Sequence, residues 1–199
     1  MDYNIRRLSR ETWTDFVRLF EQDRMTSQCW CLNHRVQVKD LVIEAEAKEI
    51  MQSWVCPKMK LRAVTSEEVP APTVHGLLLY EKSEDTEEVI GWVGVEPLQS
   101  LIGHDCAQDA QEGEWSIHCV YLLKNFRSKG LTDQLIRSAI DLAREKGAKL
   151  ISAFPCPRDQ EAGMPESMRF GGRIDSYLAA GFQIKNTLSD LYQRLEIRF

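Results

Sequence analysis

Residues 114–154 read EWSIHCVYLLKNFRSKGLTDQLIRSAIDLAREKGAKLISAF, and this stretch decides the fold. The apolar-rich run 115–123 predicts a strand. The three-and-four spacing of apolar residues over 130–146 predicts an amphipathic helix, which Gly147 ends. The apolar run 150–154 predicts a second strand. A strand, a helix and a strand in this order have the length that a parallel crossover connection needs.

The turn between the first strand and the helix reads Asn-Phe-Arg-Ser-Lys-Gly-Leu-Thr over residues 125–132. It is basic, it contains Gly130, and it opens directly into a helix. The first amides of a helix lack internal partners and lie at the positive end of its dipole, so such a turn can bind a phosphate group. Neither G-x-x-x-x-G-K-[ST] nor G-x-G-x-x-G occurs here, which excludes the common nucleotide loops. A solvated turn before a surface helix is the alternative interpretation.

In its strand–turn–helix setting, this turn resembles the acetyl-CoA-binding segment of the GNAT acetyltransferases, [RQ]-x-x-G-x-[GA]. Arg127 stands at the first position of that pattern and Gly130 at the fourth. Leu122 and Phe126 stand where the family usually has a valine and an aromatic residue. The resemblance implies that this turn holds the pyrophosphate of the cosubstrate.

The turn departs from the family pattern at two positions, and a second motif matches downstream. Ser128 replaces a common glycine, and Thr132 replaces glycine or alanine. Asp133 adds a negative charge near the expected pyrophosphate. Near the C-terminus, residues 177–182 read Tyr-Leu-Ala-Ala-Gly-Phe and resemble the family's Tyr-x-x-x-Gly-Phe. Two partial motifs in the right order carry more weight than either motif alone.

The resemblance implies a fold, a cosubstrate and a binding surface. The fold would be a mixed α/β sheet of the acyl-CoA N-acyltransferase type, with splayed central strands, helices on both faces and one domain over residues 1–199. A β-bulge would free backbone donors of the strand for the pantetheine amides. The implied acetyl-CoA-binding residues are Val120, Tyr121, Leu122, Arg127, Ser128, Lys129, Gly130, Leu131, Thr132 and Asp133.

Acetyl transfer to an amine needs a proton acceptor for the amine and a proton donor for the departing thiolate. By position in the family motif, Tyr177 is the implied general acid, and an ordinary tyrosine is protonated at neutral pH. His118 is the candidate base, since an imidazole can take a proton near neutral pH, and Glu114 would share its strand face. His118 aligns with one of two histidines of the serotonin N-acetyltransferase branch, whereas Ser116 occupies the other position. A packing role in the core is the alternative for both Tyr177 and His118.

The remaining elements follow from periodicity and turn signals. We expect a strand at 4–7, a helix capped by Ser9, a helix at 39–54, a hairpin of strands 74–81 and 88–96, long loops at 99–113 and 155–169, a helix at 172–180 and two closing strands. The expected order is β, α, α, β, β, β, α, β, α, β, β. Long loops such as 155–169 are often functional.

Composition limits the classes of function. The chain has 199 residues, 43% of them hydrophobic, and a formal net charge of −5. The acidic balance argues against nonspecific nucleic-acid binding, and no apolar run approaches the roughly 20 residues of a membrane span. The first residues lack an apolar signal core, so we expect a cytoplasmic protein with reduced cysteines.

The segment Cys29-Trp30-Cys31 with His34 suggests a zinc site in which Cys56 could be a fourth ligand. The C-x-C spacing differs from the C-x-x-C pairs of zinc knuckles, and free cysteines are commonly buried as small hydrophobes. We therefore expect no metal. A Cys-x-Cys beside tryptophan also resembles GNAT proteins with an extended N-terminal half.

Two functions remain open at this stage. The first is an acetyl-CoA-dependent N-acetyltransferase acting on a primary amine of a small molecule or protein, which Tyr177 and His118 favour. The second is a non-catalytic acyl-CoA-binding sensor or interaction module, which Ser128, Thr132 and Asp133 favour. A zinc-dependent regulator is a third hypothesis. The acceptor is not specified by the sequence, and a homodimer is left open.

Overall fold

A computed structural model describes residues 2–36, 44–57, 73–157, 171–188 and 192–199. Its strands are β1 (Asp2–Arg7), β2 (Gly76–Lys82), β3 (Glu87–Pro97), β4 (Glu114–Leu122), β5 (Leu150–Ala153), β6 (Gln183–Thr187) and β7 (Gln193–Arg198). Its helices are α1 (Trp13–Glu21), α2 (Arg24–Cys29), α3 (Glu44–Val55), α4 (Leu131–Glu145) and α5 (Ile174–Ala179). The seven strands form one mixed sheet in the order β1-β2-β3-β4-β5-β7-β6.

Helix α4 connects β4 to β5 as the crossover that makes these two strands parallel. Its buried positions recur at three-and-four spacing, which lays one apolar face along the sheet. These positions are Leu131, Leu135, Ile136, Ala139, Ile140, Leu142 and Ala143. All other pairs of neighbouring strands are antiparallel. The crossover therefore fixes the junction of the two halves of the sheet.

Each face of the sheet carries its own hydrophobic core. The α4 core packs that helix against β2, β3, β4 and β5, and it also takes in Tyr177 and Phe182 of the C-terminal part. The N-terminal core packs α1–α3 and the segment after α2 against the opposite face. Its centre is a cluster of aromatic rings formed by Phe16, Phe20, Trp30 and Trp92.

One extra residue interrupts the pairing of β3 with β4. Gly94 pairs with Cys119, but the next residue, Val95, pairs with Ile117. His118 is therefore left without a partner residue in β3, which defines a β-bulge. Such a bulge bends its strand and reverses the alternation of side chains beyond it.

The bulge places two successive side chains on one face of the sheet. Ile117 and Val120 both contact the α4 core. Between them, Cys119 belongs to the N-terminal core together with Cys31, and the His118 ring lies 3.6 Å from the Cys31 sulfur. The bulge thus concentrates polar side chains where the N-terminal segment covers the sheet.

Strands β4 and β5 separate just beyond this point. Their parallel pairing covers four residues of each strand and ends where Ile117 lies opposite Ala153. Strand β4 continues to Leu122, and none of the described residues continues the ladder on its β5 side. Farther along, Cys156 forms an isolated parallel bridge with Arg173. The sheet therefore opens between its two central strands.

The structure confirms the mixed α/β fold with splayed central strands, and it confirms the predicted hairpin and crossover within a few residues. Two expectations were wrong. Helix α2 was not predicted, because six residues are too few to show a helical period. Ser9 does not cap α1, since Thr12 precedes the first helical residue and the Ser9 hydroxyl donates to Glu11 instead.

Several expectations fall partly outside the described residues. The helix predicted from residue 39 is described only from residue 44, and of the loop predicted at 155–169 only residues 155–157 are described. The single domain over residues 1–199 stays a prediction. Among the described helices, none has both the length and the apolar character that crossing a membrane requires.

Candidate active site at the splayed strands

A cleft of about 450 Å³ lies where β4 leaves β5. Its walls come from the free half of β4, the turn before α4, and the start of α5. The residues that line it are Met25, Val120, Tyr121, Leu122, Arg127, Ser128, Gly130, Thr132, Asp133, Cys156, Gly172, Arg173 and Ser176. Eight of these are residues that the sequence predicted for acetyl-CoA binding.

The turn before α4 has an unusual backbone. Gly130 is the N-cap residue of α4 with φ 75°, and Ser128 has φ 62°. Left-handed backbone favours glycine, and for Ser128 it costs roughly 1–2 kcal/mol. No side chain caps the first turn of α4. Gly130 has no side chain to accept from the first amides of α4, and this turn lines the cleft, an arrangement in which backbone amides can bind an anion.

Arg127 is held against the end of β4, because its Nε donates to the Leu122 carbonyl oxygen over 3.1 Å. The other two residues predicted in this turn do not line the cleft. Leu131 is buried in the α4 core, and the Lys129 amino group lies 4.8 Å from the centre of the Phe126 ring.

Tyr177 of α5 is fully buried beside the cleft. A Cβ atom built on Gly172 would lie 3.4 Å from the Tyr177 hydroxyl and 3.5 Å from Val120 Cγ2, so the hydroxyl lies close behind Gly172, which lines the cleft. Burial raises the pKa of Tyr177, as does the nearby Cys119. The hydroxyl therefore stays protonated and can donate a proton or a hydrogen bond.

Three buried side-chain atoms lack a hydrogen-bond partner among the described residues: Ser116 Oγ, His118 Nδ1 and Tyr177 Oη. Buried polar atoms are nearly always satisfied in native proteins, because an unmade hydrogen bond costs about 1–3 kcal/mol. Two of the atoms belong to β4, and the third belongs to Tyr177, whose hydroxyl lies beside β4. All three atoms therefore lie on or beside β4, close to the end of its pairing with β5.

His118 lies at the bulge with one of its two ring nitrogens engaged. Its Nε2 lies 3.6 Å from Cys31 Sγ, while Nδ1 has no partner. Gly94 packs flat against the ring, since a Cβ atom there would lie 2.8 Å from Nε2. His118 was predicted as the base. Only its Nε2 has a hydrogen-bonding neighbour among the described residues, so Nδ1 is available to accept a proton.

Two further histidines extend this polar group toward the end of β5. The rings of His34 and His104 lie 5.1 Å apart, and His34 lies 6.1 Å from His118. His104 in turn packs 4.4 Å from Phe154. Burial, aided by the neighbouring histidine charges, lowers the pKa of His34 to about 3 and that of His104 to about 4. Both imidazoles are therefore neutral at physiological pH.

Cys31 lies in the N-terminal core beside His118, with φ 60° immediately after the left-handed Trp30. Burial opposes its ionisation, but hydrogen bonds with Cys119 and His118 and the charge of Arg35 lower the pKa of its thiol well below the usual value. Cys29, two residues away, behaves oppositely, because burial raises the pKa of its thiol to about 12.

Glu114 was predicted to assist His118, and both its carboxylate oxygens are engaged elsewhere. Oε1 accepts from Arg194 over 2.7 Å, and Oε2 accepts from the Gln111 backbone amide over 2.9 Å. Its assistance in catalysis stays a prediction. For the zinc hypothesis, the described ranges contain no group of three or more histidine, cysteine or acidic side chains arranged to hold a metal ion.

Sequence reasoning missed the contribution of α5 and of the residues before it to the cleft. Gly172 and Cys156 both line the cleft. The dipeptide at 171–172, two glycines before a helix, was the available signal for a close approach of backbone. His34 and His104 were missed as a group, because their proximity depends on tertiary packing.

Comparison with known proteins identifies the family. The model of the Acetyltransferase (GNAT) family matches residues 43–162, more than half of the chain, and the protein belongs to this family. No curated protein sequence matches significantly.

Solved structures share the fold at low sequence identity. PaiA N-acetyltransferase from Thermoplasma acidophilum, in complex with coenzyme A, has 12% identity and a TM-score of 0.50 with full coverage of both chains. A GNAT-family acetyltransferase from Streptococcus pneumoniae has 13% identity and a TM-score of 0.51, again with full coverage of both. YncA from Salmonella typhimurium, with its cofactor acetyl-CoA, has 13% identity and a TM-score of 0.55, covering 98% of this chain and 93% of YncA.

The neutral histidines predict that acid weakens the fold. In the unfolded chain, His34 takes up a proton below about pH 6.5. In the native state, it does so only near pH 3. The free energy of unfolding should therefore fall as pH falls, by at most about 1.4 kcal/mol per pH unit for one histidine. Denaturant unfolding between pH 4 and 8 measures this, and His34→Asn should show a shallower acid slope. An unchanged slope in the variant would contradict the buried, neutral state of His34.

Proposed function

We propose that this protein is an acetyl-CoA-dependent N-acetyltransferase that acetylates a primary amine of a small molecule or protein. The observation that carries the proposal is the buried hydroxyl of Tyr177, which lacks a partner among the described residues and lies close behind Gly172 of the cleft wall. Burial keeps this hydroxyl protonated, so it is present as a proton donor when the thiolate departs. Family membership supports acyl transfer in general.

The cleft has the features that a CoA thioester requires. The turn at 127–130 offers a cation and uncapped helix amides to a pyrophosphate, and Gly130 allows the backbone to approach closely. The half of β4 that no longer pairs with β5 can hydrogen-bond through its backbone to the amides of pantetheine. Pantetheine would then take the place of a parallel neighbouring strand. Structures of this fold from Thermoplasma acidophilum and Salmonella typhimurium hold CoA and acetyl-CoA.

His118 and Tyr177 divide the proton transfers of the reaction. The amine must lose a proton as its nitrogen bonds to the acetyl carbonyl carbon, and Nδ1 of His118 is a buried acceptor without a competing partner. When the carbon–sulfur bond breaks, the CoA thiolate takes the proton of the Tyr177 hydroxyl. The neutral His34 and His104 add no positive charge that would repel a protonated amine on its way in.

A non-catalytic acyl-CoA-binding module is the second candidate, and Asp133 favours it. This acidic residue lies in the first turn of α4 and lines the cleft near the proposed pyrophosphate site. A carboxylate there opposes phosphate binding, which is atypical for a turnover enzyme that must bind its cosubstrate well. The two candidates differ in whether any amine is consumed.

The binding part of the proposal is tested at Gly130. Gly130→Val should weaken CoA binding more than tenfold, because loss of one or two charge-assisted hydrogen bonds costs about 1.5–3 kcal/mol. Gly147→Val is a matched control: both glycines have left-handed φ and open space around a new Cβ atom, at opposite ends of α4. Both variants should lose similar stability, and calorimetry should find weakened CoA binding only in Gly130→Val. Equal CoA affinities in the two variants would place the cosubstrate elsewhere.

The catalytic part is tested by thiol release from acetyl-CoA over a panel of amines, followed by Tyr177→Phe. The variant keeps the ring and removes only the proton donor, so turnover should fall roughly 10²–10⁴-fold with little change in CoA affinity. Tyr80→Phe is the control, since the Tyr80 ring is also buried, its hydroxyl donates to Asp15, and neither residue lines the cleft. Full activity of Tyr177→Phe would reduce Tyr177 to a core aromatic. CoA binding without turnover of any amine would favour the non-catalytic module.

A further inference from the structure

The environment of Cys31 is built to hold an anion. The indole Nε1–H of Trp92 donates to Cys31 Sγ over 3.4 Å, and Nε2 of His118 lies 3.6 Å from the same sulfur. The thiol of Cys119 also hydrogen-bonds with it. Trp92 can only donate a hydrogen bond. A sulfur that receives several donors needs no proton of its own, so these contacts fit a thiolate.

We propose that Cys31 is a positioning residue: its thiolate accepts the Nε2–H of His118 and thereby leaves Nδ1 as the atom that takes the proton of the acceptor amine. The proposal rests on the proposed function. A neutral imidazole has one protonated and one free nitrogen, and the partner of one nitrogen decides which is which. Since Nδ1 is the atom without a partner, the geometry assigns the proton to Nε2.

The thiolate also stabilises the base once it has been used. When Nδ1 takes the amine proton, the ring becomes an imidazolium whose charge faces the Cys31 sulfur. This is the role that a carboxylate plays behind a catalytic histidine in hydrolases. No proton needs to pass to sulfur, so the reaction balances with His118 as acceptor and Tyr177 as donor.

Among the charged groups around Cys31 and His118, the Cys31 thiolate is the anion closest to the His118 ring. Arg35, on the same segment as Cys31, binds the Cys31 carbonyl oxygen and forms a buried ion pair with Glu96 of β3. The carboxylate of Glu96 is thus neutralised. His34 faces His118 from the N-terminal segment with its pKa held low by burial, and His104 does so from the loop before β4.

Several features argue against Cys31 as a nucleophile that would carry the acetyl group itself. It is 5% exposed and does not line the cleft. Its sulfur is enclosed by Trp92, His118 and Cys119, which leaves no space for an acetyl group. A covalent acetyl-cysteine is therefore an outcome that the test must be able to detect.

The backbone of Cys31 offers a closely matched pair of variants. Its φ of 60° is a conformation that aspartate and asparagine tolerate better than most residues. Cys31→Asp keeps an anion beside Nε2, whereas Cys31→Asn has the same shape without the charge. Cys29→Ser is the control, since the Cys29 sulfur donates to the Thr26 carbonyl oxygen of its own helix and has no hydrogen bond with His118 among the described residues.

In steady-state kinetics over a range of pH, Cys31→Asn should lose at least roughly tenfold in kcat with little change in the KM for acetyl-CoA. The acidic limb of its kcat/KM profile should move to lower pH, because an anion near an imidazole favours the protonated ring. Cys31→Asp should stay within a few-fold of the wild type on both measures, and Cys29→Ser should match the wild type.

A readout that does not depend on turnover separates this proposal from the proposed function. Nitrogen-15 NMR of the wild-type histidines at neutral pH should find His118 protonated on Nε2. A proton on Nδ1 overturns the proposal even if amines are acetylated, and so does equal activity of Cys31→Asn and Cys31→Asp. Acetylated Cys31 in the intact mass after treatment with acetyl-CoA also overturns it. An Nε2 proton without turnover of any amine supports the positioning and counts against the proposed function alone.

Discussion

The single unpaired residue in β4 is the constraint on which the site depends. Without the bulge at His118, side chains along β4 would alternate regularly, and His118 and Cys119 could not both face the N-terminal core. The bulge lies one residue beyond Ile117, where the pairing of β4 with β5 ends. A bulge bends and twists its strand, and this bend turns β4 away from its parallel neighbour. One inserted residue thus lies where the two strands separate, and it turns His118 and Cys119 toward the N-terminal core beside that opening.

The splay leaves polar groups in a dry interior, and the surrounding structure compensates for this in two ways. Charged groups near it are paired, as in the buried ion pairs of Arg35 with Glu96 and of Arg194 with Glu114. Such pairs add little net stability, but an unpaired buried charge would cost several kcal/mol. The unpaired Tyr177 hydroxyl is neutral at physiological pH, because burial raises its pKa. The site is therefore polar without being strongly charged.

Much of the fold could be predicted because its elements have long, regular periods. Helix α4 and strands β3 and β4 were located within a residue or so, since their apolar positions continue through the whole element. The turn at 127–130 that lines the cleft was found because glycine before a helix is a local signal. Helix α2 and the histidine group were not found, because a six-residue helix has no measurable period and contacts between distant residues leave no local pattern.

The Cys-Trp-Cys segment illustrates why residue type alone could not assign the chemistry of the site. As a sequence pattern, Cys29 and Cys31 are equivalent, and together they suggested a metal. In the fold, α2 ends between them, and two left-handed residues turn Cys31 inward toward His118, while Cys29 stays against its own helix. Burial raises the pKa of the Cys29 thiol. At Cys31, hydrogen bonds to the sulfur and the charge of Arg35 outweigh the effect of burial and lower the pKa. The pKa values of two thiols only two residues apart thus shift in opposite directions because their tertiary contacts differ. Those contacts depend in turn on where the bulge places β4.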